Sequence, residues 1–451
     1  MHPPAPEPAR AAPGTLHQSI GLPAALFLGL GSILGTGVFV SLGLAAGIAG
    51  ASLLWAILLA SLLALCNAMS SAQLAAAFPV SGGTYEYGYR LLHPAAGFTA
   101  GWMFLCAKSA SAATAALGFS GYLLVHAPAG FGDAFTPIVA GLTVVAITAV
   151  LLAGLRRSNP VNTLIVSITL ASLCALLIAA WLNPPPDARL HLSPAFIASD
   201  PAHAATPAAL LHATALMFVA YTGYGRIATM GEEVVHPRQN IPRAILLTLA
   251  LCSALYLAIA AVAIATLGSG ELHRVTLDTR APLEAVAERL QGPGLAFVVA
   301  LGAMTAMLGV LLNLILGLSR VALAMGRRGD LPAATARLTR GSATPAVAIV
   351  AVAGLILVLS LMGSVRLAWS FSAFTVLVYY AITNLAALRL PQEHRIYPRL
   401  VSWAGLAACL LLAWFVDVQV WVAGLALIGL GLLWHTVRRA RLPSAQTLAH
   451  P

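Results

Sequence analysis

The sequence has few charged residues for its length. Of its 451 residues, 8% are Asp, Glu, Lys or Arg, whereas a soluble domain carries roughly a quarter. Hydrophobic residues make up 60% of the chain, and its mean hydropathy is +0.90. This scarcity of charge excludes an ordinary soluble domain and predicts a protein that crosses a membrane several times.

Clusters of residues that carry catalysis or bind metals are also scarce. The five cysteines fall singly in apolar stretches, and the twelve histidines are scattered, mostly in predicted loops. No spacing among them is typical of a metal site or a disulfide framework. No acidic residue falls in the middle of an apolar stretch, where an enzyme of the membrane interior would need one. We therefore expect neither a cofactor nor an enzymatic activity.

Apolar stretches of about 20 residues recur along the chain, and this is the length that a helix needs to cross a bilayer. They predict an all-α polytopic protein with twelve transmembrane helices. We place these spans at 19–45, 50–77, 95–124, 134–154, 160–182, 208–233, 242–267, 293–323, 345–363, 367–388, 400–416 and 418–437.

The basic residues predict the orientation of these spans. With both termini in the cytoplasm, seventeen of them lie on the cytoplasmic side and five lie outside, as the positive-inside rule requires. The excess of basic residues on the cytoplasmic side then explains the net charge of +10, and no nucleic-acid partner is needed to account for it. The five outer residues are Arg189, Arg274, Arg280, Arg289 and Arg366.

Two basic residues, Lys108 and Arg226, remain within predicted spans. Ionisable groups at membrane depth are costly and are functional candidates. Lys108 could carry a proton, because removal from water favours the neutral amine. It could instead contact a substrate carboxylate or only stabilise the fold. Arg226 stays charged, and it either binds an acidic side chain or links its helix to carbonyl groups of a neighbour.

Glycines interrupt the first and sixth spans near their middles. The stretches are "GLGSILGTGVF", residues 29–39, and "AYTGYGRIATMGEE", residues 220–233. Each glycine destabilises a helix interior by about 1 kcal/mol relative to alanine. Interruptions at matching places in two halves are typical of transporters built from inverted repeats, here spans 1–5 and 6–10. Close helix packing through small residues is the alternative.

A break in the first span would free backbone groups for a ligand. Amides at the start of its outer half suit a carboxylate, and carbonyls at the end of its inner half suit an ammonium group. The sixth span runs in the opposite direction and adds a second set of carbonyls. The two breaks together predict a site for a zwitterionic α-amino acid. The predicted binding residues are Ser32, Ile33, Gly35, Thr36 and Gly37 in the first span, and Phe218, Val219, Ala220, Tyr221 and Gly225 in the sixth.

Four motifs resemble those of the amino acid–polyamine–organocation superfamily of transporters. They are "GSILGTGVF" in the first span, "FPVSGGTYEYGYR" after the second, "AYTGYGRIATMGEEVVHPRQNIPRAI" from the sixth, and "SRVALAMGRRGDLP" after the eighth. The third of these is most similar to the cationic amino acid transporter branch. The resemblance covers roughly residues 20–390, and its motifs are specific for the superfamily but not for the substrate.

The resemblance implies a leucine-transporter-type fold, a five-plus-five inverted repeat with broken helices 1 and 6 that moves amino acids by alternating access. It implies that Ile33, Thr36 and Gly37 hold the substrate's backbone groups, and that Phe218 to Tyr221 supply carbonyls and an aromatic gate, which is either Phe218 or Tyr221. The expected units are a cytoplasmic tail at 1–18, repeats at 19–182 and 208–390, two extra spans at 400–437 and a cytoplasmic tail at 438–451.

The sequence departs from the family pattern at two places. Related cationic transporters often have an acidic residue where this chain has Gly225, followed by Arg226. Some proton-coupled relatives carry a fifth-span lysine in place of a bound sodium ion, and we align Thr169 with that position. We therefore hypothesise that Lys108, in the third span, has taken over the role of that cation.

Two buried cations without an acid are a poor site for a cationic side chain. We therefore expect a neutral amino acid as the substrate, or an acidic one, in symport with protons. The alternatives are a cationic amino acid or polyamine permease or exchanger of the same fold and, in a different class, a membrane sensor that does not transport. Glu232, Glu233, Arg238 and Arg243 are expected to form a cytoplasmic gate, or only to cap the end of the sixth helix.

The remaining expectations concern the setting of the protein. The alanine- and arginine-rich composition, with a single lysine, suggests a GC-rich bacterial genome and hence the bacterial inner membrane. Residues 1–18 lack the pattern of a cleavable signal peptide. The partners expected are the amino acid, protons and the lipid bilayer, and the protein is a monomer or a homodimer. A helical pattern at residues 281–292 predicts either an outer re-entrant lid or an interfacial helix.

Overall fold

The computed structural model describes residues 20–80, 82–125, 133–153, 158–192, 206–229, 234–339 and 344–441. In these ranges every regular element is helical, and the only strand-like feature is an isolated parallel bridge between Ile20 and Val234. The prediction of an all-helical chain is therefore confirmed for the part that the structure describes.

Seventeen α-helices occur in these ranges, together with short 3₁₀ turns and one π-helical turn. Their bounds are α1 Leu22–Ile33, α2 Leu42–Ala49, α3 Leu53–Ala77, α4 Thr84–Leu91, α5 Pro94–Leu124, α6 Thr136–Leu152, α7 Ser158–Leu182, α8 Ala188–Leu192, α9 Pro207–Tyr221, α10 Gly225–Thr229, α11 Pro237–Asp278, α12 Pro282–Gln291, α13 Pro293–Arg327, α14 Ala346–Leu361, α15 Val365–Leu388, α16 Arg399–Trp414 and α17 Val418–Arg441.

Each of the twelve predicted spans coincides with one of these helices or with a broken pair. Six stretches of the described chain are long and apolar enough to cross a membrane by length and composition, and three shorter helices, α6, α14 and α16, are apolar. Helix α5 is not among the six, because Lys108 and its many small polar residues lower its hydropathy. The twelve-span topology and the inverted repeat stay predictions.

Helix α5 lies at the centre of the bundle, in contact with α13, α15, α6 and α14. Small side chains allow this, since most of its alanine, serine and glycine residues are buried. In a second group of helices, α3 packs against α9 and α11. Helices α16 and α17 lie at the edge and expose large apolar side chains such as Trp403, Trp414 and Leu430, as expected of surfaces that face lipid.

The outer part of the bundle contains one helix that is longer than predicted and one that settles an open alternative. Helix α11 continues to Asp278, eleven residues beyond the predicted end, and it bends at Gly268, whose φ of 73° lies in the left-handed region that glycine tolerates. Helix α12 occupies the stretch expected to be a lid or an interfacial helix. Its residues Leu283, Val286 and Ala287 are fully buried, and it packs against α13, α11, α7 and the π-helical turn. This burial favours a lid packed on the bundle.

Candidate substrate site

The first break lies between α1 and the outer half of the same predicted span. Helix α1 ends at Ile33, Leu34 is extended with ψ of 106°, and helical backbone resumes as a π-helical turn at Gly37–Ser41 that leads into α2. The two non-helical residues, Leu34 and Gly35, lie within the stretch 29–39 where the sequence predicts an interruption. Within the described chain, the Gly35 amide donates to no acceptor and the buried Thr36 hydroxyl has no hydrogen-bond partner.

The second break is a tighter one. Helix α9 ends at Tyr221, a 3₁₀ turn covers Thr222–Tyr224, and α10 begins at Gly225. The Thr222 side chain reaches back to the helix end, where its hydroxyl donates to the Val219 carbonyl over 2.7 Å. The chain therefore changes pitch here without becoming extended.

The two breaks are in direct contact, and glycine makes this possible. A Cβ atom at Gly223 would overlap the carbonyl group of Ser32, so only glycine fits between the two chains. A Cβ atom at Gly37 would lie 2.7 Å from both the Ala220 Cβ and the Tyr256 hydroxyl. Helix interruption and close packing, which the sequence left as alternatives, are thus both present.

Tyr256 of α11 links the carbonyl ends of the two breaks. Its hydroxyl lies 2.8 Å from the Ile33 carbonyl oxygen and 3.2 Å from that of Ala220, and its one proton can be donated to either. Both carbonyls belong to the group that the sequence predicted for a substrate ammonium. A single donor between two carbonyl oxygens therefore occupies the position where the sequence places a positively charged group.

Lys108 of α5 binds the second break. Its Nζ atom donates to the Thr222 hydroxyl over 2.5 Å and to the Thr222 carbonyl over 3.2 Å, and the side chain is 5% exposed. The Tyr380 hydroxyl also lies 3.4 Å from that carbonyl. An ammonium group at the carbonyl end of a helix is stabilised both by these hydrogen bonds and by the helix dipole.

Aromatic rings surround the second break. Phe218 meets Tyr380 edge to face at 5.5 Å between ring centroids, and Tyr224 contacts the same ring at 5.6 Å. On the other side, Tyr221 packs on Tyr256 at 5.1 Å. All five rings are buried. The two candidates for an aromatic gate therefore lie on different sides of α9, Phe218 toward α15 and Tyr221 toward α11.

The other predicted residues lie further from the breaks. Arg226 follows the second break and packs against α13, since a Cβ atom at Gly317 would lie 2.9 Å from its Nη1 atom. This position fits a link between helices. Thr169 is buried and donates to the Ile165 carbonyl of its own helix α7. Gly225 faces the Tyr380 hydroxyl, which a Cβ atom would approach to 3.2 Å.

Two asparagines join the inner half of the first broken span to its neighbours. Asn162 of α7 donates to the Phe27 carbonyl over 2.9 Å, and Asn313 of α13 donates to the Asn162 side-chain oxygen over 2.9 Å. The Asn313 amide also lies 3.4 Å from the Gly31 carbonyl. At this contact between α1, α7 and α13, Asn162, seven residues before Thr169, is thus an α7 side chain that donates a hydrogen bond to α1.

The inner ends of the two broken spans are also tied together. The Val235 amide donates to the Ile20 carbonyl over 2.9 Å, next to the bridge between Ile20 and Val234. Arg238 and Arg243 are exposed at the start of α11. Glu232 and Glu233, their predicted partners in a cytoplasmic gate, lie outside the described residues.

Several residues of this site were missed by the sequence interpretation, namely Thr222, Tyr256, Tyr380, Asn162 and Asn313. Each is a neutral polar residue in an apolar span, and no spacing distinguishes it from a packing residue. The sequence offers one general indication of such residues. A buried hydroxyl or amide in an apolar span needs a hydrogen-bond partner, so each of them must contact another polar group. In the described ranges, no three His, Cys, Asp or Glu side chains are grouped so that they could hold a metal.

Comparison with known proteins identifies the family. A family model described as "Amino acid permease" matches residues 24–440. An uncharacterised transporter of Mycobacterium tuberculosis (strain ATCC 25618 / H37Rv) is 40% identical over 432 residues, which cover 95% of this chain and 93% of the relative.

More distant relatives have named substrates. The branched-chain amino acid permease of Bacillus subtilis (strain 168) is 27% identical over 74% of this chain and 72% of its own. The mitochondrial cationic amino acid transporter 3 of Arabidopsis thaliana is 24% identical over 70% of this chain and 53% of its own. The motifs, the two broken helices and these matches agree: the chain is a membrane protein that belongs to the amino acid permease family of the amino acid–polyamine–organocation superfamily.

Proposed function

We propose that this protein is a secondary active amino acid transporter that works by alternating access around the two helix breaks. The observation that carries the proposal is the position of the Tyr256 hydroxyl, within hydrogen-bond distance of the carbonyls of Ile33 and Ala220. These two oxygens, one from each break, can accept hydrogen bonds from a donor in one shared position. In the proposal, the substrate ammonium replaces the tyrosine hydroxyl there.

The substrate carboxylate binds on the other side of the first break. The Gly35 amide and the Thr36 hydroxyl lie at the start of the outer helical half, and neither has an acceptor in the described chain. The first amides of a helix form a ready site for an anion. The zwitterion thus lies along the first break, with its two charged groups on the two helix ends.

The proposed substrate is a neutral amino acid. Lys108 places a positive charge at the second break, and the rings of Phe218, Tyr221, Tyr224 and Tyr380 supply apolar surface around it. A cationic side chain at the second break would be repelled by the Lys108 ammonium group. The printed name of the Bacillus relative, a branched-chain permease, agrees with an apolar side chain, and the name of the Arabidopsis relative supports the cationic alternative.

Proton coupling is proposed to pass through Lys108. When protonated, its Nζ atom holds the carbonyl end of α9 through Thr222. Loss of the proton removes the charge from this contact and weakens the bond to the helix end. The 3₁₀ turn is then held less firmly. Protonation of one side chain would in this way alter the second break during each transport cycle.

The proposal includes a membrane setting for the protein. The protein spans a bacterial inner membrane twelve times, with repeats at 19–182 and 208–390, two further helices at 400–437 and both termini in the cytoplasm, as a monomer or a homodimer. The ends of α2, α9, α11 and α15 that meet in one cavity all belong to the predicted outer side. A second cavity contains residues of the predicted inner side, among them Pro79 and Arg238.

Transport into proteoliposomes tests the proposal. Purified protein is reconstituted, and uptake of radiolabelled leucine, alanine, glutamate, lysine and putrescine is measured with and without an outside-acid pH gradient. We expect leucine or alanine to accumulate, and the gradient to increase the rate. Preferential uptake of lysine or putrescine would overturn the assignment of a neutral substrate. Absence of uptake for every compound, with correctly folded protein, would overturn transport itself.

A further inference from the structure

Four arginines lie close together on the surface at the end of α17, and we call this group the inner arginine patch. They come from three segments that are distant in sequence: Arg90 from α4, Arg328 from the end of α13, and Arg438 and Arg439 from α17. Each of the four is exposed or half-buried. The predicted topology places the patch at the cytoplasmic face of the membrane, where anionic lipid head groups attract basic side chains.

The ring of Tyr89 holds two of these arginines together. The Arg328 Cζ atom lies 4.2 Å from the centre of this ring, and the Arg439 Cζ atom lies 5.8 Å from it. The Tyr89 hydroxyl donates to the buried Asp330 carboxylate over 2.6 Å, which fixes the ring in place. Two like charges are therefore held near each other at the surface. Such charges repel each other, and an anion bound between them removes the repulsion.

Carboxylates of the protein balance only part of the charge of the patch. Glu86 pairs with Arg328 over 2.6 Å and approaches Arg90 to 3.9 Å, so one carboxylate is shared by two arginines. Arg438 donates to two backbone carbonyls of the turn after α13, and neutral acceptors leave its charge in place. Even when the buried Asp330 is counted, four arginines face two carboxylates. The patch therefore favours an anionic ligand.

An apolar face of α17 leads directly to the patch. Leu430, Trp434 and Arg438 follow one another at intervals of four residues and share one side of the helix, with Leu433 and Val437 beside them. The four apolar side chains are between 41% and 63% exposed. The Arg438 Cζ atom lies 5.7 Å from the centre of the Trp434 ring. Exposed apolar side chains thus pass into positive charge through a tryptophan, which is the order found across a membrane interface.

The chemistry of arginine favours a phosphate group as the anion. A guanidinium group stays charged and donates two parallel hydrogen bonds to phosphate oxygens. In the part of the chain that the structure describes, Arg439 forms no ion pair, so its charge is available to a ligand. A soluble phosphate would use the arginines alone, whereas a phospholipid would use the arginines and the adjoining apolar face together. The continuity of the two surfaces therefore favours the lipid.

We propose that the inner arginine patch binds an anionic glycerophospholipid, such as phosphatidylglycerol. Its phosphate lies between Arg328 and Arg439, and an acyl chain follows the face that contains Leu430 and Leu433. The Trp434 indole nitrogen donates to the Asp330 carbonyl over 2.8 Å, so the lipid covers the place where α4, α17 and the turn after α13 meet. The site is separate from the helix breaks, and the proposal does not depend on transport.

Mass spectrometry of the intact protein in detergent measures lipid binding directly. The protein is titrated with phosphatidylglycerol or with phosphatidylcholine of the same acyl chains, and the lipid-bound fraction is recorded. We expect phosphatidylglycerol to bind about tenfold more tightly. Arg439→Gln should weaken its binding about fivefold, and the double variant with Arg328→Gln about thirtyfold, as expected for arginines near a membrane surface. Because Arg328→Gln also breaks the pair with Glu86, the single variant carries the test if the double variant does not fold.

The matched control is Arg389→Gln combined with Arg399→Gln. Both arginines are exposed on the same predicted inner surface, one at the end of α15 and the other at the start of α16, so the change removes two positive charges outside the patch. The control should bind phosphatidylglycerol as tightly as the parent protein does. An equal loss of affinity in the control would overturn the site, since the total charge of the protein would then explain the effect.

Two soluble anions distinguish a lipid from a free phosphate. Inorganic phosphate and glycerol phosphate, each in millimolar excess, should leave phosphatidylglycerol bound, because neither covers the apolar face of α17. Complete displacement of the lipid by inorganic phosphate would show a site for a soluble anion and would overturn the assignment to a lipid. Equal binding of phosphatidylglycerol and phosphatidylcholine would overturn recognition of the anionic head group.

Discussion

The two helix breaks meet at one point but differ in how their backbone groups are satisfied. At the first, the Gly35 amide and the Thr36 hydroxyl have no partner in the described chain. At the second, Lys108, Tyr380 and the hydroxyl of Thr222 itself hold the helix end. The difference suggests a division of roles, in which the first break receives the ligand and the second belongs to the protein's own polar network.

The largest expected effect comes from forcing the two breaks apart. Gly223→Ala places a Cβ atom against the Ser32 carbonyl, a rigid backbone group that cannot move aside. We expect the free energy of unfolding to fall by about 1–3 kcal/mol and transport to be lost. Thermal unfolding in detergent and uptake into proteoliposomes measure the two effects.

Gly354→Ala is the matched control for this change. Gly354 also lies in a helix, α14, but has open space around its Cβ position, so alanine should not lower the melting temperature there. If Gly223→Ala melts and transports like the parent, the breaks are not packed as described.

Lys108 tests whether the second break is held by charge. Lys108→Met removes the donor and leaves Thr222 without its shortest hydrogen bond, so the protein should lose about 1–3 kcal/mol of stability. Lys108→Gln keeps a donor but cannot be protonated; it should unfold near the parent temperature and transport at a rate that no longer changes with pH. An unchanged pH dependence in both variants would refute a proton-carrying role for Lys108.

Two threonines provide the direct comparison between the breaks. The Thr36 hydroxyl has no partner in the described chain, whereas the Thr222 hydroxyl accepts from Lys108 and donates to Val219. Thr222→Ala should therefore cost about 1 kcal/mol of stability. Thr36→Ala should leave stability within about 0.5 kcal/mol of the parent and raise the KM for substrate about threefold to tenfold. Thermal unfolding and uptake kinetics are measured on both variants. If Thr36→Ala lowers stability and Thr222→Ala raises only the KM, the roles assigned to the two breaks are exchanged.

Much of the fold was predictable because lipid enforces a simple pattern. Twelve apolar stretches predicted helices to within a few residues at most ends, since a spanning segment must satisfy its own backbone. The continuation of α11 to Asp278 was not predictable, because residues 269–278 are mostly polar and their helix is held by packing against α2 and α8.

The glycines of the site made its helix interruptions predictable. The neutral polar side chains that contact these interruptions were not predictable. The glycines of the first and sixth spans correctly located the helix interruptions at Leu34–Gly35 and Thr222–Tyr224. Tyr256 reaches both breaks from a helix that carries no interruption. Its role depends on the three-dimensional approach of α11 to α1 and α9, which periodicity cannot give.

Leucine binding to the parent and to Tyr256→Phe, followed as thermal stabilisation in detergent, tests whether the Tyr256 hydroxyl occupies the position of the substrate ammonium group. A ligand at a hundred times its Kd adds about 2.7 kcal/mol of stability, which is easily detected. If the hydroxyl occupies the ammonium position, Tyr256→Phe should be about 1 kcal/mol less stable when empty and should bind leucine several-fold more tightly. Stabilisation of the parent by lysine or putrescine alone, or weaker leucine binding by Tyr256→Phe, would contradict the account.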